Sequence, residues 1–227
     1  MLLTLRMDLH VHTHYSDSKN SVEQVICEAR AAGLDGLAIT DHETIEGALL
    51  ASRLAGRNLL VIVGQEIKTT RGEILGYGLR HSVPDKLKLK EAVSEVHHQG
   101  GVVAVPHPTL PLLGIKSSGE LAAAGVDAVE VISALTPFPR RYMEKNERLS
   151  ARLGLPVVAG SDSHHRGTVG QTYTMLEVKD RSLEGVLASI KSGRTSVVFR
   201  PSSRSQKLRV ALWVPVGVVK RALGLES

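Results

Sequence analysis

The stretch Asp8-Leu9-His10-Val11-His12-Thr13-His14-Tyr15-Ser16-Asp17 decides how this chain is interpreted, because it places two imidazoles at the end of a predicted strand. In an extended segment the side chains at positions i and i+2 point the same way, so His10 and His12 can bind one ion without distorting the backbone. Asp17 adds a carboxylate in the next turn. A His-x-His pair is common by chance, so its meaning depends on partners elsewhere in the sequence.

The composition predicts one large globular domain with an aliphatic core. Of the 227 residues, 42% are hydrophobic and 22% charged, while aromatic residues make up only 3%. A core of Val, Leu, Ile and Ala suits parallel strands covered by helices. The single cysteine, Cys27, excludes an internal disulfide, and we expect it to be buried in a helix. With no signal-like N-terminus and no apolar run long enough to span a membrane, we expect a cytoplasmic protein.

The charge balance is mildly basic. A net charge of +5 and a pI near 9.4 suit an anionic substrate and would also suit nucleic acid. A solvated surface of Lys and Arg would give the same values. The charge therefore does not distinguish an anionic substrate from nucleic acid, or either of them from an ordinary solvated surface.

Strand-like and helix-like segments alternate along the chain. Ser21, followed three residues later by Gln24, is a capping box and predicts a helix start. About seven β–α repeats without an inserted domain predict an α/β fold with a parallel, barrel-like sheet over residues 1–199. An open, doubly wound sheet is the alternative. The predicted strands span 3–9, 36–40, 59–63, 73–79, 102–105, 127–132, 156–159, 173–178 and 196–199.

The last segment, residues 200–227, has a different character. Residues 200–205 are linker-like, and 210–219 are apolar around Trp213 and Pro215. We expect this basic and apolar C-terminal tail to pack on the barrel or on a partner subunit. A membrane-surface anchor is the alternative, although Pro215 and Gly217 would break an amphipathic helix.

Side chains that can bind metals gather where the predicted strands end. In α/β barrels the C-terminal ends of the strands converge on one mouth, where reactive residues collect. A barrel would therefore bring distant parts of the sequence together. The clusters are 8–17, 40–42, 64–66, Glu73 at the start of a hairpin strand, 106–108 and 160–165.

The donor atoms in these clusters come from imidazoles and carboxylates, without a thiolate. That set suits Zn, Mn or Fe and is poor for soft metals. Carboxylates can also bridge, which indicates more than one ion. Two ions about 3.5–4 Å apart can clamp an in-line phosphoryl displacement.

This arrangement resembles the PHP (polymerase and histidinol phosphatase) family in its stand-alone, single-domain form. The matching pieces are Asp-Leu-His-Val-His-Thr with Ser-Asp, then Thr-Asp-His, Gly-Gln-Glu, His-Pro and Gly-Ser-Asp-Ser-His, over about residues 7–199. The resemblance implies a distorted (β/α)7 barrel, a site for two or three divalent metal ions, and phosphoesterase activity.

The resemblance also implies a role for each matched residue. The implied metal ligands are His10, His12, Glu66 and Asp162 for a first ion, Glu66 and His107 for a second, and Asp17, His42 and His164 for a third. Many relatives have a further histidine on the second ion where this chain has Glu73. The anionic ligand should shift the preference toward a harder metal such as Mn.

Several other polar residues lie near these motifs. We expect Asp41 to orient a ligand imidazole rather than to bind a metal. His81, Arg140 and Arg141 are candidates for contact with substrate, and for the arginines a solvated helix face is the alternative. We expect His14 and His165 to be exposed or to contact substrate, and His97 and His98 to lie on the surface of a helix without a partner.

These residues together predict a metal-dependent hydrolase that cleaves phosphate esters through a metal-activated hydroxide. The substrate would be a small phosphorylated metabolite, a nucleotide or an oligonucleotide end, and Asp17, His164 or a water on the third ion would supply the leaving-group proton. The alternatives are an exonuclease, an amidohydrolase-type enzyme that does not act on phosphate, and a non-catalytic metal-binding module. The sequence leaves the oligomeric state open.

Overall fold

The structure, a computed structural model, describes residues 2–110, 114–115, 117–133 and 139–200. Strands and helices alternate there, as the sequence predicts. The strands are β1 (Leu3–Val11), β2 (Gly36–Ile39), β3 (Leu60–Thr69), β4 (Gly72–Tyr77), β5 (Val102–Val105), β6 (Ala128–Ser133), β7 (Val157–Gly160), β8 (Thr172–Val178) and β9 (Thr195–Phe199). The helices are α1 (Val22–Ala31), α2 (Glu46–Leu54), α3 (Leu89–His98), α4 (Ser118–Ala124), α5 (Pro139–Leu153) and α6 (Leu183–Lys191).

The nine strands within these described residues form one sheet in the order β7-β6-β5-β4-β3-β2-β1-β8-β9. The sheet curves back on itself, so that β7 also contacts β1, β8 and β9. Beside β1 the N–H of Asp162 donates to the carbonyl of His10 at 2.8 Å, and the N–H of His12 donates to the carbonyl of Ser163 at 3.1 Å. The α/β, barrel-shaped sheet is confirmed, rather than the open, doubly wound alternative.

The strand directions differ from the uniformly parallel repeat that the sequence predicts. β4 runs antiparallel to β3 and β5, and β8 runs antiparallel to β1 and β9. The reason lies in the connections, because only Thr70 and Arg71 join β3 to β4, and a parallel pair needs a crossover of a dozen or more residues. In the same way, β7 leads to β8 without an intervening helix. The described residues contain six helices, so the exact count of seven β–α repeats is not confirmed.

Strand β3 is longer than predicted, and this changes the position of one expected ligand. We expected a strand over 59–63, with Glu66 in the loop after it. The structure instead continues the strand to Thr69, because its second half pairs with β4, with Glu66 opposite Leu75 and Lys68 opposite Glu73. Glu66 therefore projects from a hydrogen-bonded hairpin.

The core is aliphatic, as the composition predicts. Inside the barrel, buried side chains such as Met7, Leu9, Leu75 and Tyr77 fill the space below the polar mouth. Outside it, helices α1 and α2 pack their apolar faces against the sheet. Burial of one large aliphatic side chain contributes about 1.5–3 kcal/mol, so this filling supports the polar mouth above it.

Helix α1 begins with the predicted capping box. The N–H of Gln24 donates to the hydroxyl of Ser21, and the N–H of Ser21 donates to the side chain of Gln24. Cys27, in contrast, is exposed. We expected it to be buried, but the buried face of α1 is formed by residues such as Val25 and Ala29, and Cys27 lies outside that face.

Two expectations concern the end of the chain and membranes. Arg200 is the last residue before the part of the tail, 201–227, that lies outside the described residues, so the packing of the tail on the barrel or on a partner stays a prediction. In the described part of the chain, none of the helices has both the length and the apolar character needed to cross a membrane.

Candidate metal centre

Side chains that can bind metals meet at one end of the barrel. The parallel strands β1, β2, β5 and β7 end there, which is why residues far apart in sequence converge. The β3–β4 hairpin supplies the two remaining carboxylates. The residues that meet are His10 and His12 from β1, His42 after β2, Glu66 and Glu73 from the hairpin, His107 after β5, Asp162 and His164 after β7, and Asp17.

The first group consists of His10, His12, Glu66 and Asp162. The Nε2 atoms of His10 and His12 lie 3.1 Å apart. Oε2 of Glu66 lies 3.2 Å from each of these nitrogen atoms. Oδ1 of Asp162 lies 3.5 Å from Nε2 of His10 and 3.6 Å from Nε2 of His12.

These separations fit the donor atoms around a single metal ion. With bonds of about 2.1 Å in a tetrahedral site, neighbouring donor atoms lie about 3.4 Å apart. The Nε2 atoms of His10 and His12 lie 3.1–3.6 Å from each other, from Oε2 of Glu66 and from Oδ1 of Asp162. His10, His12 and Glu66 lie close enough together to hold one ion in a buried place, where a cation would neutralise lone pairs that otherwise face one another.

The second group consists of Glu66, Glu73 and His107. Nε2 of His107 lies 3.3 Å from Oε1 of Glu66 and 4.0 Å from Oε2 of Glu73. Glu66 thus offers Oε2 to the first group and Oε1 to the second, as a bridging carboxylate does. Glu73 stands next to His107, at the place where the resemblance implies a histidine.

The third group consists of Asp17, His42 and His164, next to His12. Nε2 of His164 lies 3.0 Å from Oδ1 of Asp17, and Nε2 of His42 lies 3.9 Å from Oδ2 of Asp17. Nε2 of His42 is buried and makes no hydrogen bond, which is the condition of a ligand atom that faces an ion. All three sets that the resemblance implies are therefore brought together.

The imidazoles of the first group have opposite pKa shifts. Burial, together with the nearby His164, lowers the pKa of His12 to about 3, so His12 is held in the neutral form in which an imidazole can bind a metal. Burial also acts to lower the pKa of His10, but the charges of Asp162 and Glu66 outweigh it and raise that pKa well above its ordinary value. The field at His10 is thus strongly negative and attracts positive charge.

Two carboxylates of the centre, Glu66 and Asp17, have lowered pKa values although they are buried. Burial acts to raise the pKa of Glu66, but the neighbouring imidazoles, above all His10, hold it well below its usual value. For Asp17 burial is likewise outweighed by His164, and the pKa is far below the usual range. His107 shows the reverse effect, because Glu66 overcomes burial and raises the pKa of His107 to about 9.

Two of the ligand residues have a left-handed backbone. His107 has a φ of 29° and Asp162 a φ of 53°, each two residues after a strand end. A residue other than glycine held in this region costs about 1–3 kcal/mol and persists only where its surroundings fix it. For Asp162 the fixing contact is its N–H bond to the carbonyl of His10.

Asp41 has a different role from the one expected. Its Oδ1 accepts from the N–H of Thr13 at 2.6 Å and from the hydroxyl of Ser16 at 2.7 Å, and its Oδ2 accepts from the hydroxyl of Thr13 at 2.6 Å. These bonds hold the loop that leads from His12 to Asp17. Asp41 thus positions a ligand-bearing loop rather than an imidazole.

Two buried carboxylates below the centre, Asp8 and Glu130, were given no role by the sequence interpretation. Asp8 accepts from the N–H groups of Ser161 at 2.7 Å and Gly170 at 2.8 Å, and burial raises the pKa of Asp8 to about 6. Glu130 contacts His10 Nδ1 at 3.0 Å and accepts from the N–H of His107 at 3.0 Å. The available signal for Glu130 was a lone carboxylate within an apolar strand.

The three residues expected to contact substrate lie in different positions relative to the mouth of the barrel. His81 is exposed and follows β4 at the end away from Glu73, with its N–H bonded to Gln99. Because β4 is antiparallel, that end points away from the mouth, so the structure does not bring His81 to the ligands. Arg140 and Arg141 are exposed in the first turn of α5, which follows β6 on the side of the mouth.

The remaining histidines lie outside the three ligand groups. His14 is exposed beside the ring of Tyr15, and His165 is half-buried. His97 is exposed, as expected, but it does have a partner, because its Nε2 lies 2.7 Å from Oδ2 of Asp127. His98 is exposed one position further along α3.

Comparison with protein families agrees with this geometry. A family model described as the PHP domain matches residues 8–137, and a second, described as PHP-associated, matches residues 140–195. The chain belongs to the PHP family. Together the two matched ranges include every residue of the three ligand groups, so PHP membership and the geometry of the mouth concern the same residues.

Three relatives illustrate the family. An uncharacterized protein of Methanocaldococcus jannaschii is 34% identical over 143 residues, 57% of this chain and 82% of that protein. A phosphoribosyl 1,2-cyclic phosphate 1,2-diphosphodiesterase of Eggerthella lenta is 35% identical over 98 residues, 40% of this chain and 37% of that enzyme. A two-domain Bacteroides vulgatus protein, described as containing a predicted PHP-like metal-dependent phosphoesterase, shares the fold with a TM-score of 0.75 and 23% identity, over 92% of this chain and 69% of that one.

Proposed function

We propose that this PHP protein is a metal-dependent hydrolase of phosphate esters. The observation that carries the proposal is the convergence of three groups of imidazole and carboxylate atoms, with Glu66 shared between two of them, at one barrel mouth. Such donors suit Mn, Zn or Fe, and the anionic Glu73 favours Mn. The family membership and the phosphodiesterase relative point to the same chemistry.

The three groups would each hold one divalent ion. His10, His12, Glu66 and Asp162 would hold the first, Glu66, Glu73 and His107 the second, and the third would be held by Asp17, His42 and His164. Divalent ions there would lower the pKa of water and neutralise charge on phosphoryl oxygens. The chain itself supplies their fixed, buried positions, since most of these side chains are inaccessible to solvent.

The neighbourhood of Asp17 and His164 is where we expect the leaving oxygen to receive its proton, from a water that an ion held by these residues would make more acidic. Nδ1 of His164 donates to the carbonyl of Asp162 at 2.9 Å, which fixes the ring and turns Nε2 toward Oδ1 of Asp17 at 3.0 Å. Asp17 is more accessible than Glu66, so its carboxylate lies toward the outer edge of the centre. A water held there could reach an alkoxide as it leaves.

Cationic side chains around the mouth would bind the substrate phosphate. Lys68 follows Glu66 by two residues in β3 and pairs directly with Glu73, so the three side chains lie on one face of the hairpin. Arg140 and Arg141 stand at the start of α5 on the same end of the barrel. We therefore favour a phosphorylated metabolite, a nucleotide or a free oligonucleotide end as the substrate.

The decisive experiment is metal analysis of the purified protein, followed by hydrolysis assays with added Mn, Zn, Fe or Mg. The panel would contain p-nitrophenyl phosphate, bis(p-nitrophenyl) phosphate, a 5′-nucleotide and an oligonucleotide with free ends. We expect His10→Ala and Asp162→Ala to abolish turnover while the fold survives. Ser189→Ala, which removes a buried hydroxyl bonded to Arg194 in the C-terminal part of the barrel, is the control.

Each rival function has its own outcome in this panel. Release of nucleotides from oligonucleotide ends, with steep salt dependence, would identify an exonuclease. Cleavage of amides with no activity on any phosphate would identify an amidohydrolase-type enzyme. Near-native activity of either alanine variant, or purified protein that binds none of the four metals, would contradict the proposal.

A further inference from the structure

Glu130 lies in the middle of β6, where its neighbours in sequence are apolar, and its carboxylate is buried in the barrel below the ligand groups. Oε1 lies 3.0 Å from Nδ1 of His10, and Oε2 accepts from the backbone N–H of His107 at 3.0 Å. One carboxylate therefore touches a ligand of the first group and the backbone of a ligand of the second.

The same two ligands are also joined from above. Glu66 contacts Nε2 of His10 through Oε2 at 3.2 Å and Nε2 of His107 through Oε1 at 3.3 Å. His10 and His107 thus lie between two carboxylates, with their ring centroids 5.9 Å apart. Glu66 faces the place of the ions, whereas Glu130 faces the opposite side of His10.

We propose that Glu130 is a positioning residue that couples the first and second metal sites; the inference rests on the proposed metal centre. A carboxylate only accepts hydrogen bonds, so Nδ1 of His10 must donate to it, and the lone pair of His10 is then on Nε2, which faces Glu66 and Asp162. The other oxygen holds His107 at its left-handed φ of 29°.

Glu130→Gln separates the two tasks, because an amide has the same shape but only one acceptor. If its oxygen takes the N–H of His107, its NH₂ faces Nδ1 of His10 and forces the ring proton onto Nε2, which blocks the first site. If the amide flips, the NH₂ opposes the N–H of His107 and disturbs the second site. Loss of such an outer contact weakens metal binding about 10–100-fold.

The test measures metal affinity and the ring tautomer, not turnover. Titration of the metal-stripped protein with Mn²⁺ should show one of the two sites weakened about 10–100-fold in Glu130→Gln. In ¹⁵N NMR of the Zn²⁺-loaded protein, His10 should carry its proton on Nδ1 in the wild type. Ser189→Ala is the control, because it removes a buried hydroxyl bonded to Arg194 away from the ligand groups and should leave the metal affinity and the His10 signal unchanged.

Wild-type affinity and an unchanged His10 tautomer in Glu130→Gln would overturn the proposal. Absence of a proton on Nδ1 of His10 in the wild-type protein would also overturn the proposal. This measurement tests the proposal even if the variant does not fold. These outcomes differ from failure of the proposed hydrolase function. A protein that binds metal and has the predicted tautomer but hydrolyses no phosphate would refute only that function.

Discussion

Gly160 is a position where one added methyl group would perturb the barrel directly beside the candidate metal centre. It is the last residue of β7 and lies against β1 at His10. A Cβ atom built there would lie 2.4 Å from both the Cβ and the backbone nitrogen of His10, and 2.8 Å from its Cα. Two of these atoms belong to the backbone, so no rotamer change relieves the overlap.

The cost of Gly160→Ala follows from these distances. Ordinary contact begins near 3.4 Å, so β1 and β7 must separate by about 1 Å at His10. Overpacking of this kind costs about 1–3 kcal/mol, or a fall in Tm of about 2–12 °C for a domain of this size. Because a misplacement of about 1 Å at a site can cost about 100-fold in rate, metal affinity and turnover should fall further than the stability does.

The assay compares Gly160→Ala with Gly119→Ala by thermal unfolding and by Mn²⁺ titration. Gly119 is an exposed residue of α4 whose added Cβ would meet nothing within 4 Å. The control should therefore be neutral or stabilised by about 0.5–1 kcal/mol, with unchanged metal affinity. A Gly160→Ala protein as stable as the control and with wild-type affinity would show that β7 does not lie against His10 as described.

Three further predictions concern the proposed centre. Glu73→His should change the order of metal preference more than it changes Tm, and an unchanged order in metal-dependent assays would place Glu73 outside the ligands. Lys68→Met should raise the KM for p-nitrophenyl phosphate about 10-fold, which corresponds to the loss of one charge-assisted hydrogen bond. Lys68→Arg should keep a KM near that of the wild type. An equal KM in Lys68→Met and the wild type would exclude Lys68 from phosphate binding. At a free metal concentration of 100 times Kd, metal binding adds about 2.7 kcal/mol to the stability of the folded protein. Removal of the metal with a chelator should therefore lower Tm by about 5–11 °C in a thermal scan. An unchanged Tm would argue against bound metal.

The local part of the site could be predicted from the sequence. His10 and His12 lie on one side of a strand end because of the two-residue period of extended chain, and that period is visible in the sequence. The capping box at Ser21 also depends only on neighbours, and it is formed as predicted. Features set by contacts within a few residues were therefore accessible without a structure.

The direction and length of β3 and β4 could not be predicted from the local sequence. Gly64, Gln65 and Glu66 look like a loop because they interrupt an apolar run. In the structure Gln65 is satisfied instead by Val83, with its side chain donating to the Val83 carbonyl at 2.9 Å and accepting from its N–H at 2.8 Å. Polar residues can continue a strand when tertiary partners satisfy them, and those partners are absent from a local pattern.

Glu130 and Asp41 show the same limit at the site itself. The partner of Glu130, His10, is 120 residues away in sequence, and Asp41 bonds to Thr13, 28 residues away. Contacts between residues so far apart in the chain produce no pattern that can be recognised in the sequence. The types of residue that bind metal were predictable because chemistry restricts them, whereas the residues that hold those ligands in place are restricted only by the folded geometry.

The contacts that close the barrel and those that place the ligands are largely the same. The N–H of Asp162 bonds to the carbonyl of His10, and Asp8 accepts from Ser161 directly below them, so one patch of backbone joins β7 to β1 and presents two ligands of the first group. Side chains on both sides of this seam would share one ion. Metal binding should therefore stabilise the seam itself, and mutations at the seam should weaken metal binding even when no ligand is replaced.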